Sequence, residues 1–90
     1  LYTIRLPDAA TRARVQQALA AGQVGSGIYY PKALHHQPAY AAHHAGSVAG
    51  GPAPLPVSEA LCHQVLSLPM HPYMSEADAE RAGKAVLAAL

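Results

Sequence analysis

The sequence predicts an α/β fold, a two-layer sandwich in which a small three-stranded sheet packs against about three helices. Three observations support this class. Short runs rich in β-formers alternate with alanine-rich helical runs, prolines and glycines separate the runs, and 90 residues suffice for one small domain. The predicted order of elements is β-α-β-loop-α-β-α, within a single domain that spans residues 1–90.

The first strand and the first helix follow from the first two dozen residues. The run YTIRL at 2–6 alternates and is rich in β-formers, so it predicts a strand with its even-numbered residues on one face. Asp8 stands where a helix N-cap belongs, and the alanine-rich run after it favours a helix. Val15 and Leu19 form a narrow apolar stripe on that helix, and Gly22 is predicted as the C′ residue that ends it.

A second strand is predicted at 24–30, loosened by Gly25 and Gly27. These glycines indicate either a bulge or a place where another group must come close to the backbone. Residues 32–40 are predicted to be irregular, with a helical turn around 37–42. The Gly- and Pro-rich stretch at 43–55 predicts a mobile loop.

The second half of the chain predicts a helix, a strand and a helix. Pro56 suits a first helical turn, with Val57 and Leu61 facing inward and Cys62 as a small core residue. The run VLSL at 65–68 is the third strand. The last helix is predicted to begin with a capping box of Ser75 and Asp78. One face of it carries the apolar residues Ala79, Ala82, Val86 and Leu90.

Composition excludes several classes of function. The formal charge is +1 with no basic stripe, so a nucleic-acid partner is not expected, and no apolar run is long enough to cross a membrane. A single cysteine and no recognisable signal peptide favour the cytoplasm. The histidines show no familiar metal-ligand spacing, because adjacent pairs cannot easily bind one ion and no cysteine or carboxylate completes the set. No metal site is therefore expected.

The polar aromatic chemistry is concentrated in GIYYPKALHHQPAY at 27–40, which we call the tyrosine segment. On a strand, Tyr29 and Tyr30 would point to opposite faces, so one is expected in the core and the other in a cleft. Lys32 and His35 follow on a chain stiffened by Pro31. Hydroxyl, ammonium and imidazole groups together could bind an anionic or sugar-like ligand. The alternative is that tyrosine fills the core of a protein without Phe and Trp.

Two stretches of the sequence together resemble the DegT-type sugar aminotransferases. Their pattern Y-P-x-P-L-H-x-Q-x-x-Y is matched within the tyrosine segment, and P-x-A/S-E followed by V-L-S-L-P-M-H-P is matched from Pro56 to Pro72. The matching residues are Tyr30, Pro31, Leu34, His35, Gln37, Tyr40, Glu59 and 66–72. The chain departs from the family at Tyr29, where His is common, at Ala33, where a second proline is common, and at Gln23, where the family has glycine.

The resemblance implies a C-terminal small domain of a fold type I enzyme that uses pyridoxal phosphate. The whole enzyme would move an amino group from glutamate to a nucleotide-linked keto-sugar, as a cytoplasmic homodimer. The chain would be a fragment, inactive alone, because the family's cofactor-binding lysine lies in the larger N-terminal domain. Family analogy implies substrate binding by Tyr29, Tyr30, Lys32 and His35, with His71 as a secondary candidate and no catalytic residue in this chain. A non-catalytic interaction module, or a gene remnant of the same fold, is the competing interpretation.

Overall fold

A computed structural model describes residues 1–43 and 54–90 of the chain. The class is α/β as predicted, with two strands and three α-helices in these ranges. Two short 3-10 helices, Leu34–His36 and Pro38–His43, lie between the first helix and the second. The elements in chain order are β1 (Tyr2–Arg5), α1 (Ala9–Ala21), α2 (Pro56–Gln64), β2 (Val65–Leu68) and α3 (Glu76–Ala89). Most of the predicted mobile loop at 43–55 lies outside the described residues.

The described sheet has two strands rather than the predicted three. β1 and β2 pair antiparallel, with Ile4 opposite Leu66. The predicted middle strand is reduced to one bridge, in which Gly27 and Ser67 exchange two backbone hydrogen bonds of 2.9 Å. Gly25 and Gly27 offer no side chains to pack, and Pro31 cannot donate to a ladder, so pairing does not extend beyond this point.

Both ends of α1 have capping hydrogen bonds. Asp8 Oδ1 accepts from the Thr11 N–H at 2.7 Å, which confirms the predicted N-cap and lowers the pKa of that carboxyl. At the other end Gly22 is the C-cap, with φ −80°, rather than the predicted C′ residue. The left-handed position falls on Gln23, with φ 57°. The Val24 N–H donates to the Leu19 carbonyl at 2.8 Å, which makes this a Schellman motif closed by two buried apolar residues.

The last helix begins as the sequence predicts, whereas the residues of α2 that face the core differ from the predicted ones. Ser75 and Asp78 form the full capping box, each accepting from the other's backbone N–H. In α2, Cys62 is buried as expected, but Val57 is 72% exposed and does not face inward. Pro56 places Val57 in the first turn of the helix, beyond the edge of the core.

The core lies where α1 crosses α3 and the sheet. Val15, Leu19 and Leu66 are completely buried, and each contributes roughly 1.5–3 kcal/mol of hydrophobic stabilisation. Leu6, Val24 and Ala82 complete the buried cluster, with Ile4 and Val86 packed at its margin. Leu90, predicted on the inner face of α3, is 62% exposed. Within the described ranges, no helix has the length and apolar character that a membrane crossing needs.

Candidate functional site

The tyrosine segment leaves the sheet at Gly27 and runs along the surface. Tyr29 and Tyr30 are each 60% exposed, so the expectation that one of them fills the core is wrong. The segment is not a strand at this point, and the two side chains are not forced to opposite faces of a sheet. Lys32 is also exposed. Two phenols and an ammonium group therefore stand in solvent within four consecutive residues.

Gly27 allows the Tyr29 side chain to fold back against the backbone. A Cβ atom placed on Gly27 would lie 2.8 Å from two ring carbons of Tyr29, closer than real side chains approach. Gly25, by contrast, has nothing within 4 Å of the same position. The prediction that a glycine here admits another group is thus confirmed for Gly27, and the admitted group is the ring of Tyr29.

The end of the tyrosine segment is tied to α2 by a carboxylate. His35 Nε2 and Glu59 Oε1 are hydrogen-bonded at 2.9 Å, and the Leu55 N–H donates to the same oxygen at 3.1 Å. His36 Nε2 lies 3.6 Å from this oxygen, beyond a hydrogen bond but within reach of ion pairing. The hydrogen bond from His35, then that from Leu55, lowers the pKa of Glu59.

This polar cluster is partly withdrawn from water. The side chain of His35 is 15% exposed, that of Glu59 is 35% exposed and that of His36 is 40% exposed. The two imidazole rings face each other with centroids 4.2 Å apart and planes tilted by 42°. In the 3-10 turn at Leu34–His36 the two histidine side chains converge on the same oxygen of Glu59, which the sequence alone did not indicate.

Sequence reasoning named Glu59 as a match to the family pattern and did not place it beside the histidines. The one signal that could have found the contact is the resemblance, because His35 and Glu59 both belong to the matched pattern although 24 positions separate them. His36 has no such signal, since the pattern leaves its position open. The structure thus joins His35 to a partner that no local motif predicts.

His71, the secondary candidate, lies in a different place. It lines two clefts beside α3, of about 440 and 240 Å³. The larger is bounded by Leu68, Met74 and Ala82, and the smaller by Gln23 and Arg81. The described linings of these clefts do not include Tyr29, Tyr30, Lys32 or His35, so the structure does not group His71 with them.

Both lysines of the sequence are exposed. Lys84 is 77% exposed along its side chain, and its Nζ is 3.0 Å from Glu80 Oε2 on the outer face of α3. Lys32 is exposed on the tyrosine segment.

Comparison with known proteins identifies relatives along almost the whole chain. A model of the DegT/DnrJ/EryC1/StrS aminotransferase family matches residues 1–87. The chain is 41% identical over 76 residues to a UDP-2-acetamido-2-deoxy-3-oxo-D-glucuronate aminotransferase of Pseudomonas aeruginosa. This alignment covers 84% of the chain and 18% of that relative.

A solved structure gives the same result for the fold. The crystal structure of a DegT DnrJ EryC1 StrS aminotransferase from Brucella abortus superimposes with a TM-score of 0.76 and 41% sequence identity. The match covers 97% of this chain and 21% of that one. The chain therefore spans about a fifth of the length of the relatives that it matches.

Proposed function

The chain belongs to the DegT/DnrJ/EryC1/StrS aminotransferase family, and from this premise we propose that it is the C-terminal small domain of a sugar aminotransferase. The whole protein transfers an amino group from glutamate to a keto-sugar linked to a nucleotide. The observation that carries the proposal is the 41% identity to a relative whose named substrate is a UDP-linked 3-oxo sugar acid. The particular sugar, carbon and nucleotide are left open.

The family's general dependence on pyridoxal phosphate extends the proposal to a cofactor. When bound, this cofactor supplies the electron sink for amino-group transfer. The cofactor-binding lysine is proposed to lie outside this chain, and the exposure of both lysines, one of them paired with a neighbouring carboxylate, supports this assignment. The cofactor is therefore assigned to the N-terminal large domain, and no chemical step is assigned to a residue of this chain.

The role proposed for this chain is to bind and orient the nucleotide-sugar. Tyr29, Tyr30 and Lys32 carry exposed polar groups on one short stretch, and this exposure is what supports them as ligand contacts. Lys32 acts as a point charge for the diphosphate, and the phenols supply hydroxyl groups and flat apolar faces. His35 belongs to the set through its bond to Glu59, which holds the end of the segment in place.

His71 is kept as a secondary contact for a different part of the ligand or of the protein. It lines clefts beside α3 rather than the tyrosine segment. The proposed assembly is a cytoplasmic homodimer in which the tyrosine segment faces the cleft between the domains. Nucleic acid and membrane are not among its proposed partners.

A pair of lysine variants tests the proposed substrate contacts. In the whole protein, Lys32→Ala should weaken nucleotide-sugar binding by about tenfold, the size expected for one hydrogen bond to a charged group, and should leave bound cofactor unchanged. Lys84→Ala is the matched control, because it removes the same charge from the outer face of α3. Calorimetric titration with the nucleotide-sugar measures both variants. Equal affinities for the two would remove Lys32 from the site.

The competing proposal is a non-catalytic module or gene remnant of the same fold. The properties of the whole protein that contains this chain decide between the two proposals. The enzymatic proposal requires a cofactor-bound lysine in an N-terminal domain and glutamate-dependent amination of a keto-sugar. The isolated 90-residue chain should show neither cofactor absorbance nor transaminase activity, and turnover by it would contradict the proposal.

A further inference from the structure

The cluster that ties the tyrosine segment to α2 has the composition of a metal site. We propose that His35, His36 and Glu59 bind a divalent transition-metal ion of the zinc class. One ligand atom from each of the three side chains lies within 4.8 Å of the other two. This proposal goes against the expectation from the sequence, and it does not depend on the transaminase activity proposed above.

The distances suit an ion at the centre of the cluster. Zinc lies about 2.0–2.1 Å from histidine nitrogen and about 2.0–2.2 Å from carboxylate oxygen, in tetrahedral geometry. Neighbouring ligand atoms around such an ion are therefore roughly 3.3 Å apart. The two imidazole nitrogens lie 2.9 and 3.6 Å from the same oxygen of Glu59, one slightly inside this value and one slightly outside it. The two nitrogens lie within 4.8 Å of each other, so changes in the histidine rotamers would bring both onto one ion.

The position of His36 is the observation that the hydrogen bond between His35 and Glu59 does not explain. The hydrogen bond between His35 and Glu59 is complete without it. Nevertheless Nε2 of His36 is directed to the same oxygen from 3.6 Å, although the side chain is 40% exposed and could extend into solvent. A cation shared by both imidazoles and the carboxylate accounts for all three orientations together.

The ligand types select the class of ion. Two imidazoles and one carboxylate suit zinc, copper, nickel or cobalt better than magnesium or calcium, which prefer oxygen ligands. Three protein ligands leave one tetrahedral position for water or another group. The bound ion would join the tyrosine segment to the first turn of α2. Its ligands His35 and Glu59 are 24 positions apart in the sequence.

The test uses the whole protein without an affinity tag, freed of metal by a chelator and titrated with Zn²⁺ by calorimetry. We expect saturable binding of one ion per chain. His36→Gln should weaken Zn²⁺ binding by more than about tenfold. Even the loss of a residue that only hydrogen-bonds to a metal ligand lowers metal affinity by about 10–100-fold. Since His36 lies at the surface, its loss should not unfold the chain. His63→Gln is the matched control, an exposed histidine of α2 outside the cluster, and should leave the affinity unchanged.

Two further measurements keep the proposal open to refutation. Glu59→Gln preserves side-chain volume while it removes the anionic ligand, so it should also weaken Zn²⁺ binding. X-ray absorption of the zinc-loaded protein should show only nitrogen and oxygen ligands at about 2.0–2.2 Å. Absence of saturable binding, sulfur in the first shell, or binding that His36→Gln and Glu59→Gln leave intact would each overturn the proposal.

Discussion

The hydrophobic core and the tyrosine segment are held in place by different forces. In the core, Val15, Leu19 and Leu66 are excluded from water and are fixed by close packing. In the tyrosine segment, Tyr29 and Tyr30 are 60% exposed, and the segment is attached by a bridge at Gly27, by the contact of His35 with Glu59 and by packing of Ile28 against the core. Packing dominates the first region, whereas limited packing and a few polar contacts position the second.

This difference separates the roles of stability and recognition. Burial is non-directional and distributes stability over many contacts, so the core tolerates no large loss of volume. A segment held by a few polar contacts keeps its side chains available to a ligand, but each contact matters individually. Variants in the two regions should therefore change different measured properties.

The largest effect is expected in the core. Leu19→Ala removes a fully buried side chain where α1 meets α3, and should lower the free energy of unfolding by about 2–5 kcal/mol. Val57→Ala is the comparison, because Val57 is 72% exposed, and should change it by less than about 0.5 kcal/mol. Urea denaturation measures both. Similar losses of stability for the two variants would show that burial does not determine the effect of these two substitutions.

The sequence predicts the packed region well for a physical reason. The boundaries of β2, the N-cap of α1, the capping box of α3 and the buried stripe of α1 all follow from local patterns, because each depends on residues a few positions apart. The prediction that Val57 faces inward is wrong, because helical periodicity does not show where the core ends.

The candidate site is less predictable because its contacts are not local. The second strand was predicted at 24–30 around Ile28, but the glycines there allow pairing only at Gly27. The cluster of His35, His36 and Glu59 joins two stretches across residues that no periodic pattern relates. Propensity describes neither feature, and the sequence analysis did not predict the contact of His35 with Glu59.

A smaller effect is expected at the end of α1. Gln23 adopts φ 57°, which costs a residue with a Cβ about 1–2 kcal/mol. Gln23→Gly should raise the free energy of unfolding by about 0.5–1 kcal/mol, after the entropy cost of glycine is subtracted. Thermal denaturation measures the change.

Gly22→Ala supplies the control for this prediction. Gly22 has φ −80°, and the nearest atoms to an added Cβ are 3.5 Å away, so alanine fits without strain. It should be tolerated, with a gain of up to about 1 kcal/mol from lost chain entropy. A loss on Gly22→Ala together with no gain on Gln23→Gly would place the left-handed residue at Gly22 instead.

In the tyrosine segment, ligand affinity should change more than stability. Gly27→Ala places a Cβ where the ring of Tyr29 lies, and the ring can move because it is the end of a side chain. We expect a change in the free energy of unfolding below about 1 kcal/mol, with clearly weaker nucleotide-sugar binding. Gly25→Ala has open space around it and should alter neither quantity. Equal binding by the two variants would mean that the Tyr29 ring position does not matter.

A fall in pH should loosen the tyrosine segment, because it protonates the Glu59 carboxylate. The pKa of Glu59 is lowered from its ordinary 4.5, chiefly by the hydrogen bond from His35, so its folded pKa lies below its unfolded one. The resulting stabilisation is fully present above the unfolded value and is lost as the pH falls through the folded value. Hydrogen exchange in residues 34–40 should therefore rise, beyond its intrinsic pH dependence, below about pH 4.5.

Glu59→Gln separates this local effect from acid loss of the helix caps. Asp8 and Asp78 also have lowered pKa values, through hydrogen bonds with Thr11 and Ser75, so α1 and α3 lose their caps in a similar pH range. The variant should abolish the acid-dependent change in the tyrosine segment and leave that of the helices in place. If the segment of the variant still opens together with the helices, its order depends on the core, and the contact between His35 and Glu59 is not what holds it.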